Sequence, residues 1–458
     1  MPKAVPVREI RDFYGRRYRV GETDRDLLKG RSRAWMLWAA WTAMLVASVG
    51  QYGFGALMPV LGETHDWSLA ESGWVLAVWI LCQSGTVYPA ARLRTRLGLP
   101  PAATMLAGAV LCAAGLVTLG GSSGFAVVLL NHGVLGGIGA GLIYGTCLGV
   151  VATWYPERPG RTAFVSGAFA YGSIPFVLLA GQFAGPGGTG VFLGIAGAAV
   201  VVVVGAAAAI LRDPPRHWWP AHVDPRAWAL DKSVNPALRR NRPPIRHYST
   251  AEMVRVPASG LLYLAVTCLA AVILFDIAYL AVFATASGWS TGFGAVALAV
   301  LAAGSGATRT AEGWASERFG RRRVVRLALV AGGVAQVVLL VAGEQGLAGL
   351  LLAGAALAGA AAGACYGLLP GLVEGHFGER PGLPNFGIFY GAKSVGGLLG
   401  VALAGYAVGS DGYAVGFLVA AVLSFTGAGL VRYLRQPGLP RLSLPGLAAE
   451  PGSRVVNA

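Results

Sequence analysis

Four ionisable residues lie inside long apolar runs of this 458-residue chain: Asp276, Arg309, Glu312 and Lys393. A charged side chain in hydrocarbon costs about 2.5–3.5 kcal/mol on insertion scales, so each of them needs a partner or a use. Lys393 is one of four lysines, and the other three (Lys3, Lys29 and Lys232) sit in polar segments. It lies nine residues into a run that begins at Pro384, about 14 Å along a helix and so near the middle of a span. An ammonium group there either pairs with a neighbouring carboxylate or holds an anionic ligand. Arg309 lies between one and two turns from the end of its run, so it can reach the interface or be neutralised by Glu312 at i+3. Asp276 could carry a coupling proton, because burial favours the neutral acid, or it could neutralise Lys393.

The elements that carry these residues follow from composition. The chain is 55% hydrophobic and 12% charged, with 68 glycines. Soluble domains are about a quarter charged, and glycine is better tolerated in membrane helices. A soluble enzyme, a disordered chain and a disulfide scaffold are excluded. A span needs about 20 predominantly apolar residues, and twelve such runs are present: 34–61, 72–91, 102–119, 125–153, 162–183, 190–211, 258–285, 291–312, 324–343, 346–373, 384–408 and 412–434. No ten-residue alternation suggests a barrel, so the spans are helices. The five cysteines all lie within these runs and read as small core residues. The polar, charged residues 1–33 do not resemble a cleavable signal.

Charge orients the spans. The net charge is +15, and the tail 1–33 alone holds ten basic residues. Arg92, Arg94 and Arg96 follow the second span, Arg158 and Arg161 the fourth, and Arg318, Arg321, Arg322, Arg323 and Arg326 the eighth; segment 212–257 carries nine more. The alternate connections have no Lys or Arg. The expectation is a multi-pass protein of the cell (plasma or inner) membrane with both termini and the central linker cytoplasmic. Membrane topology accounts for the basic excess, so no nucleic-acid partner is expected.

An offset of 222 aligns the two halves. Tyr144-Gly145 falls on Tyr366-Gly367, Glu157-Arg158-Pro159-Gly160 on Glu379-Arg380-Pro381-Gly382, and Arg96-Leu97-Gly98 on Arg318-Phe319-Gly320. The chain is therefore read as a tail (1–33), a six-helix bundle (34–211), a linker (212–257), a second six-helix bundle (258–434) and a C-terminal tail (435–458). Two parallel repeats of this kind rock around a midplane site. The linker, rich in Pro and Arg, is expected to be a tether with little core of its own.

With these residues in view the chain resembles the major facilitator superfamily, which implies an all-α membrane protein of twelve transmembrane helices in two six-helix repeats. Gly313-Trp-Ala-Ser-Glu317-Arg318-Phe-Gly320-Arg321 is similar to the superfamily's cytoplasmic signature loop. The first-half copy is degenerate, with Ala91 and Thr95 in place of the usual Gly and acid. Within the superfamily, three stretches resemble the oxalate/formate antiporter family, which is related to the monocarboxylate transporters. They are Gly50-Gln51-Tyr52-Gly-Phe-Gly, then Gly136-Gly137-Ile-Gly139-Ala-Gly141-Leu-Ile-Tyr144 with Trp154-Tyr155-Pro156-Glu157-Arg158, and Arg309 with Tyr390-Gly-Ala-Lys393.

The resemblance implies that Arg309 and Lys393 hold a small carboxylate, the guanidinium through its planar fork and the ammonium as a compact charge. Gln51, Tyr52, Tyr144, Tyr366 and Tyr390 are candidate lining residues, although a tyrosine within a span equally serves helix packing. Asp276 and Glu312 are candidates for proton coupling or charge pairing. The repeat equivalents of Arg309 and Lys393 are Val87 and Tyr171, so both cations come from the second half. The Gly-rich run 136–141 has no preceding strand and no acid at the dinucleotide spacing; close helix packing accounts for it. No enzyme, cofactor or metal motif is found. The expected function is alternating-access transport of mono- or dicarboxylates, such as oxalate, formate, lactate or pyruvate, by exchange or proton symport. An exporter of larger organic compounds and a transport-dead sensor are the alternatives.

Overall fold

The computed structural model describes residues 7–438 apart from 13–14, 184, 186, 243, 245 and 379–381; of 312–314 and 382–383 it describes the backbone alone. Twelve of its helices are long and apolar enough to span a membrane. α1 (Ala34–His65), α2 (Leu69–Leu97), α3 (Pro101–Gly121), α4 (Phe125–Trp154), α5 (Gly160–Phe183) and α6 (Thr189–Ile210) form the first half. The second half comprises α7 (Pro257–Ala286), α8 (Thr291–Phe319), α9 (Arg321–Glu344), α10 (Ala348–Phe377), α11 (Pro384–Asp411) and α12 (Tyr413–Tyr433).

The internal repeat survives in three dimensions: α2 begins at Leu69 and α8 at Thr291, 222 residues apart. The ends are chemically specified. Ser68 and Glu71 form a capping box at the start of α2, and Gly98, at φ 65°, ends it. The signature segment differs from expectation: Gly313–Phe319 continues α8 as helix, and the turn into α9 is made by Gly320 alone, at φ 85°. No side chain intervenes at that turn because a left-handed backbone there suits only glycine.

Burial separates the helices into layers. In their apolar windows α7 is 83% buried and α1 and α4 are each 72% buried, whereas α6 is 33% and α3 and α9 are 39% buried. The outer helices turn Val110, Val117, Val191, Val202, Val334 and Val422 outward, which is where a lipid-facing surface must be apolar. The central helices must therefore supply any polar lining.

The tail and the linker depart from the expected bare tether. A hairpin, β1 (Arg8–Arg11) paired antiparallel with β2 (Arg17–Val20), lies against the start of the linker. Hairpin and linker exchange backbone bonds, Arg19 N of β2 donating to His217 O at 2.7 Å and Trp219 N donating back to Arg19 O at 3.0 Å. Trp218 packs on Trp154 at the end of α4, with centroids 5.0 Å apart, and donates through Nε1 to Glu22 O at 3.0 Å. Asp12, buried here, is ion-paired with Arg16; the bonds from Arg16 and Tyr18 hold its carboxyl below the usual carboxylate range against the opposing effect of burial. Further along, Tyr248 N donates to Phe377 O at 2.9 Å. The linker has a core because Trp218 and Tyr248, which composition averages away among Pro and Arg, find aromatic partners on the first and second halves, Trp154 and Phe377. Trp218→Ala should speed tryptic cutting between Arg16 and Arg19 while leaving substrate transport nearly unchanged, which limited proteolysis beside an uptake assay checks.

Candidate functional site

Between the halves lies a cavity of about 290 Å³ lined by Gln51, Tyr52, Tyr144, Phe169, Ile273, Leu274, Ile277, Arg309, Tyr366, Tyr390 and Lys393. All seven residues expected to line a substrate site are among them. The repeat is visible here as well: Gln51 and Ile273, Tyr52 and Leu274, and Tyr144 and Tyr366 are equivalents that face each other's half.

Local structure explains the lining. Gln51 and Tyr52 fall in a π-helical turn, Val49–Gly53, within α1. Consecutive residues of a regular helix diverge by about 100°, and the wider turn brings both toward the same space. Lys393 is 3% exposed and Arg309 5%, so neither snorkels to the interface. Lys393 Nζ donates to Gln51 Oε1 at 2.6 Å and to Gln83 Oε1 at 2.9 Å, and it lies 5.5 Å from the ring centroids of both Phe169 and Tyr390. Gln83 Nε2 in turn donates to Tyr390 OH at 3.2 Å. Arg309 Nη1 donates to Ser166 O at 2.8 Å and to Ser166 Oγ at 3.1 Å, and Nη2 to Ser305 Oγ at 3.4 Å. Its guanidinium stands 5.3 Å from the Tyr366 centroid.

Neither cation forms an ion pair among the described residues. Their partners are neutral, and each reaches from the second half to the first: Lys393 to α1 and α2, Arg309 to α5. Two tyrosines, Tyr144 and Tyr390, stack at 4.8 Å and 15° to close one wall. Tyr144 OH is 3.2 Å from Ser166 Oγ. The buried Nε of Arg309 and the hydroxyl of Tyr366 have no hydrogen-bond partner among the described residues. Two cations with no counter-charge among the described residues, and two free donors beside them, are chemically suited to an anion with several acceptor oxygens.

The halves meet on either side of this cavity. Toward the end of α11, Trp74 Nε1 donates to Tyr406 OH at 3.1 Å. Toward the linker, a Cβ placed on Gly387 would lie 3.0 Å from the Tyr88 Cα, so that position of α11 abuts α2 backbone to backbone. At the level of Lys393, Ser84 Oγ and Ser394 Oγ are 2.7 Å apart.

The remaining expectations divide. Asp276 does not neutralise Lys393: its Oδ2 accepts from Gln336 Nε2 at 2.9 Å, and it lines a different cavity, between α7, α9, α10 and α12. The reason is rotational, since Ile273 and Ile277 occupy the face of α7 that meets the cavity between the halves. The side chains of Glu312 and Gly313 lie outside the described residues, as do Glu379, Arg380 and Pro381 of the repeat motif. Glu317 and Arg318 are exposed at the end of α8, and Arg321 Nη1 donates to Gly371 O at 2.7 Å, tying α9 to α10. A buried pair not expected from sequence joins Arg33 Nη2 to Glu157 Oε1 at 2.6 Å. Gln83, Ser166, Phe169 and Ser305 were also missed at the site. One signal was present, because Gln83 and Ser305 are repeat equivalents and both bond to a cavity cation.

The sequence model of the Major Facilitator Superfamily matches residues 40–311 and 297–453. Among similar proteins, an uncharacterised 38 kDa protein encoded in a 23S RNA operon of Thermoproteus tenax is 26% identical over 89% of this chain and 98% of its own length. The oxalate:formate antiporter of Oxalobacter formigenes is 22% identical over 68% of this chain and 69% of its own. Monocarboxylate transporter 11 of Mus musculus is 28% identical over 89% and 87%. With twelve spanning helices, a duplicated six-helix unit and a family match across nearly all of its membrane domain, this chain belongs to the major facilitator superfamily of membrane transporters.

Proposed function

We propose that the protein is a secondary transporter of small mono- or dicarboxylates, with Arg309 and Lys393 as the anion-holding pair. The carrying observation is that both cations are buried against one cavity and neither has a carboxylate partner among the described residues. Uncompensated charge of this kind is costly unless a ligand supplies the counter-charge. The cavity is closed in tightly by the rings of Tyr52, Tyr144, Phe169, Tyr366 and Tyr390 and by Ile273, Leu274 and Ile277, which favours a few-atom anion over a large organic cargo. The names of the oxalate:formate antiporter and of monocarboxylate transporter 11 agree with that chemistry.

The mechanism follows from the cross-half bonds. Bringing the cationic face of the second half onto the first is opposed by burial of two like charges. An anion between them removes that cost, so closure follows loading, and the loaded halves then rock to the other side. The basic tail and linker orient that side of the bundle toward the cytoplasm of a cell membrane. In liposomes, labelled oxalate, formate, lactate and pyruvate should each be tested with and without an opposing anion and with and without a pH gradient. Saturable, mutually competing uptake of at least one is expected; no uptake of any small carboxylate under all these conditions overturns the reading.

A further inference from the structure

The second cavity of the second half, about 240 Å³, is lined by α7, α9, α10 and α12 and holds Asp276, Gln336 and Ser424 among apolar walls. Asp276 is 1% exposed and Gln336 0%. Gln336 Nε2 already donates to Asp276 Oδ2 at 2.9 Å. The other oxygen of each group, Asp276 Oδ1 and Gln336 Oε1, is buried with no hydrogen-bond partner among the described residues. Ser424 cannot serve them with its proton, because its hydroxyl donates to Leu329 O at 2.6 Å.

Two acceptors left over on two groups that are already joined define what is missing: one donor between them. A carboxylate would face apolar walls with a single neutral donor, an expensive arrangement at this depth. A neutral acid carries its own donor. With an O–H bond on Oδ1 aimed at Gln336 Oε1, acid and amide form a reciprocal pair of hydrogen bonds, and both orphaned oxygens are satisfied together. We propose that Asp276 and Gln336 form a proton-binding site in the core of the second half, loaded with one proton in this conformation and distinct from the anion cavity.

The surroundings suit a single-proton site. The cavity walls contributed by α9, α10 and α12 (Ala328, Leu329, Gly332, Ala358, Ala361, Ala362 and Ser424, with Gln336) carry no titratable group. On α7 itself, Cys268 lies two turns away and Tyr279 is engaged, donating to Val401 O at 2.5 Å. Lys393 and Arg309 line the other cavity, and Ile273 lines both. In the first half the equivalent place is filled: Phe54, at the repeat position of Asp276, stacks on His132 with centroids 5.5 Å apart. The second half alone carries an acid at this position.

Asp276 is adjacent to Ile277 and three residues from Ile273, so the proton site and the anion cavity share one helix. When α7 shifts against α9 and α10 as the halves rock, water can enter the void; the O–H bond on Oδ1 then breaks, and the proton leaves to that water. The site itself stands on this geometry alone, while its linkage to anion movement rests on the carboxylate reading.

Infrared spectra of the purified protein at neutral pH test the site without any substrate. A protonated-carboxyl carbonyl band that shifts in heavy water is expected in the wild type and in Lys393→Ala, and is expected to be missing in Asp276→Asn, whose amide can still pair with Gln336 and keep the fold. Absence of the band from the wild type, or its persistence in Asp276→Asn, overturns the site. In liposomes the wild type should accumulate anion in response to an imposed pH gradient, and Asp276→Asn should take up the same amount with and without it. An equal gradient response in both overturns the linkage and leaves the infrared result standing. A protein that shows the band but carries no small carboxylate refutes the carboxylate reading and not the proton site.

Discussion

Lys393→Ala should abolish carboxylate uptake in liposomes while the purified variant stays folded. The ammonium is held by Gln51 and Gln83 and faces the rings of Phe169 and Tyr390, so its removal takes away half of the cavity's positive charge and leaves space for a water. Losing one partner of a buried charge–charge contact costs about 2–5 kcal/mol, which is a fall in affinity of about 30-fold or more. The fold should tolerate the change, because a buried, unpaired cation is itself a destabilising element and no carboxylate is orphaned by its loss. Undiminished uptake with an unchanged half-saturating concentration would remove Lys393 from the anion site.

The second large effect is at Arg309. Arg309→Ala should lose about as much uptake as the lysine variant, and Arg309→Lys should recover only part of it. The conservative change keeps the charge but not the fork, and the fork is what spans Ser166 and Ser305 while leaving Nε free for a ligand. One hydrogen bond to a charged group is worth about 1.5–3 kcal/mol, so Arg309→Lys should raise the half-saturating concentration about tenfold or more. Melting temperature, measured alongside, separates this from structural loss: a drop in uptake that tracks a drop in stability would make Arg309 a structural brace between α8 and α5. Wild-type transport by Arg309→Lys would mean that charge alone suffices.

Both outcomes turn on an asymmetry written into a duplicated fold. The repeat equivalents of Arg309 and Lys393 are Val87 and Tyr171, and neither lines the cavity. Tyr171 instead accepts a hydrogen bond from Trp41 Nε1 at 2.5 Å. One half therefore supplies charge and the other supplies amides, hydroxyls and rings. A symmetric placement would put cations on both moving faces and oppose closure further. On the proposed carboxylate reading, keeping them on one face would let a single anion act as the bridge.

How far the sequence reaches can be followed residue by residue. The twelve spans were legible because hydropathy over about 20 residues is a local property of the chain, and their ends moved by only a few residues. The exceptions are α2, which runs on to Leu97 where Gly98 stops it, and α8, which runs on to Phe319. The offset of 222 and the burial of Lys393 were equally local facts. The continuation of α8 through Gly313–Phe319 was hidden because its charged face reads as loop. The linker's core was hidden because Trp218 needs Trp154, 64 residues back in the chain, to have a partner.

The chain by itself determined that this is a duplicated twelve-helix membrane protein with a lysine and an arginine where charges are costly, since composition, period and offset need no knowledge of neighbours. Only the tertiary structure decided what those charges meet. A helix can be rotated by a few tens of degrees without altering its hydropathy, yet that rotation sets Asp276 toward Gln336 and away from Lys393. It also brings Gln83 from α2, and Ser166 and Phe169 from α5, against the two cations. Contacts between residues more than a hundred positions apart depend on helix rotation and packing, and no local pattern records them.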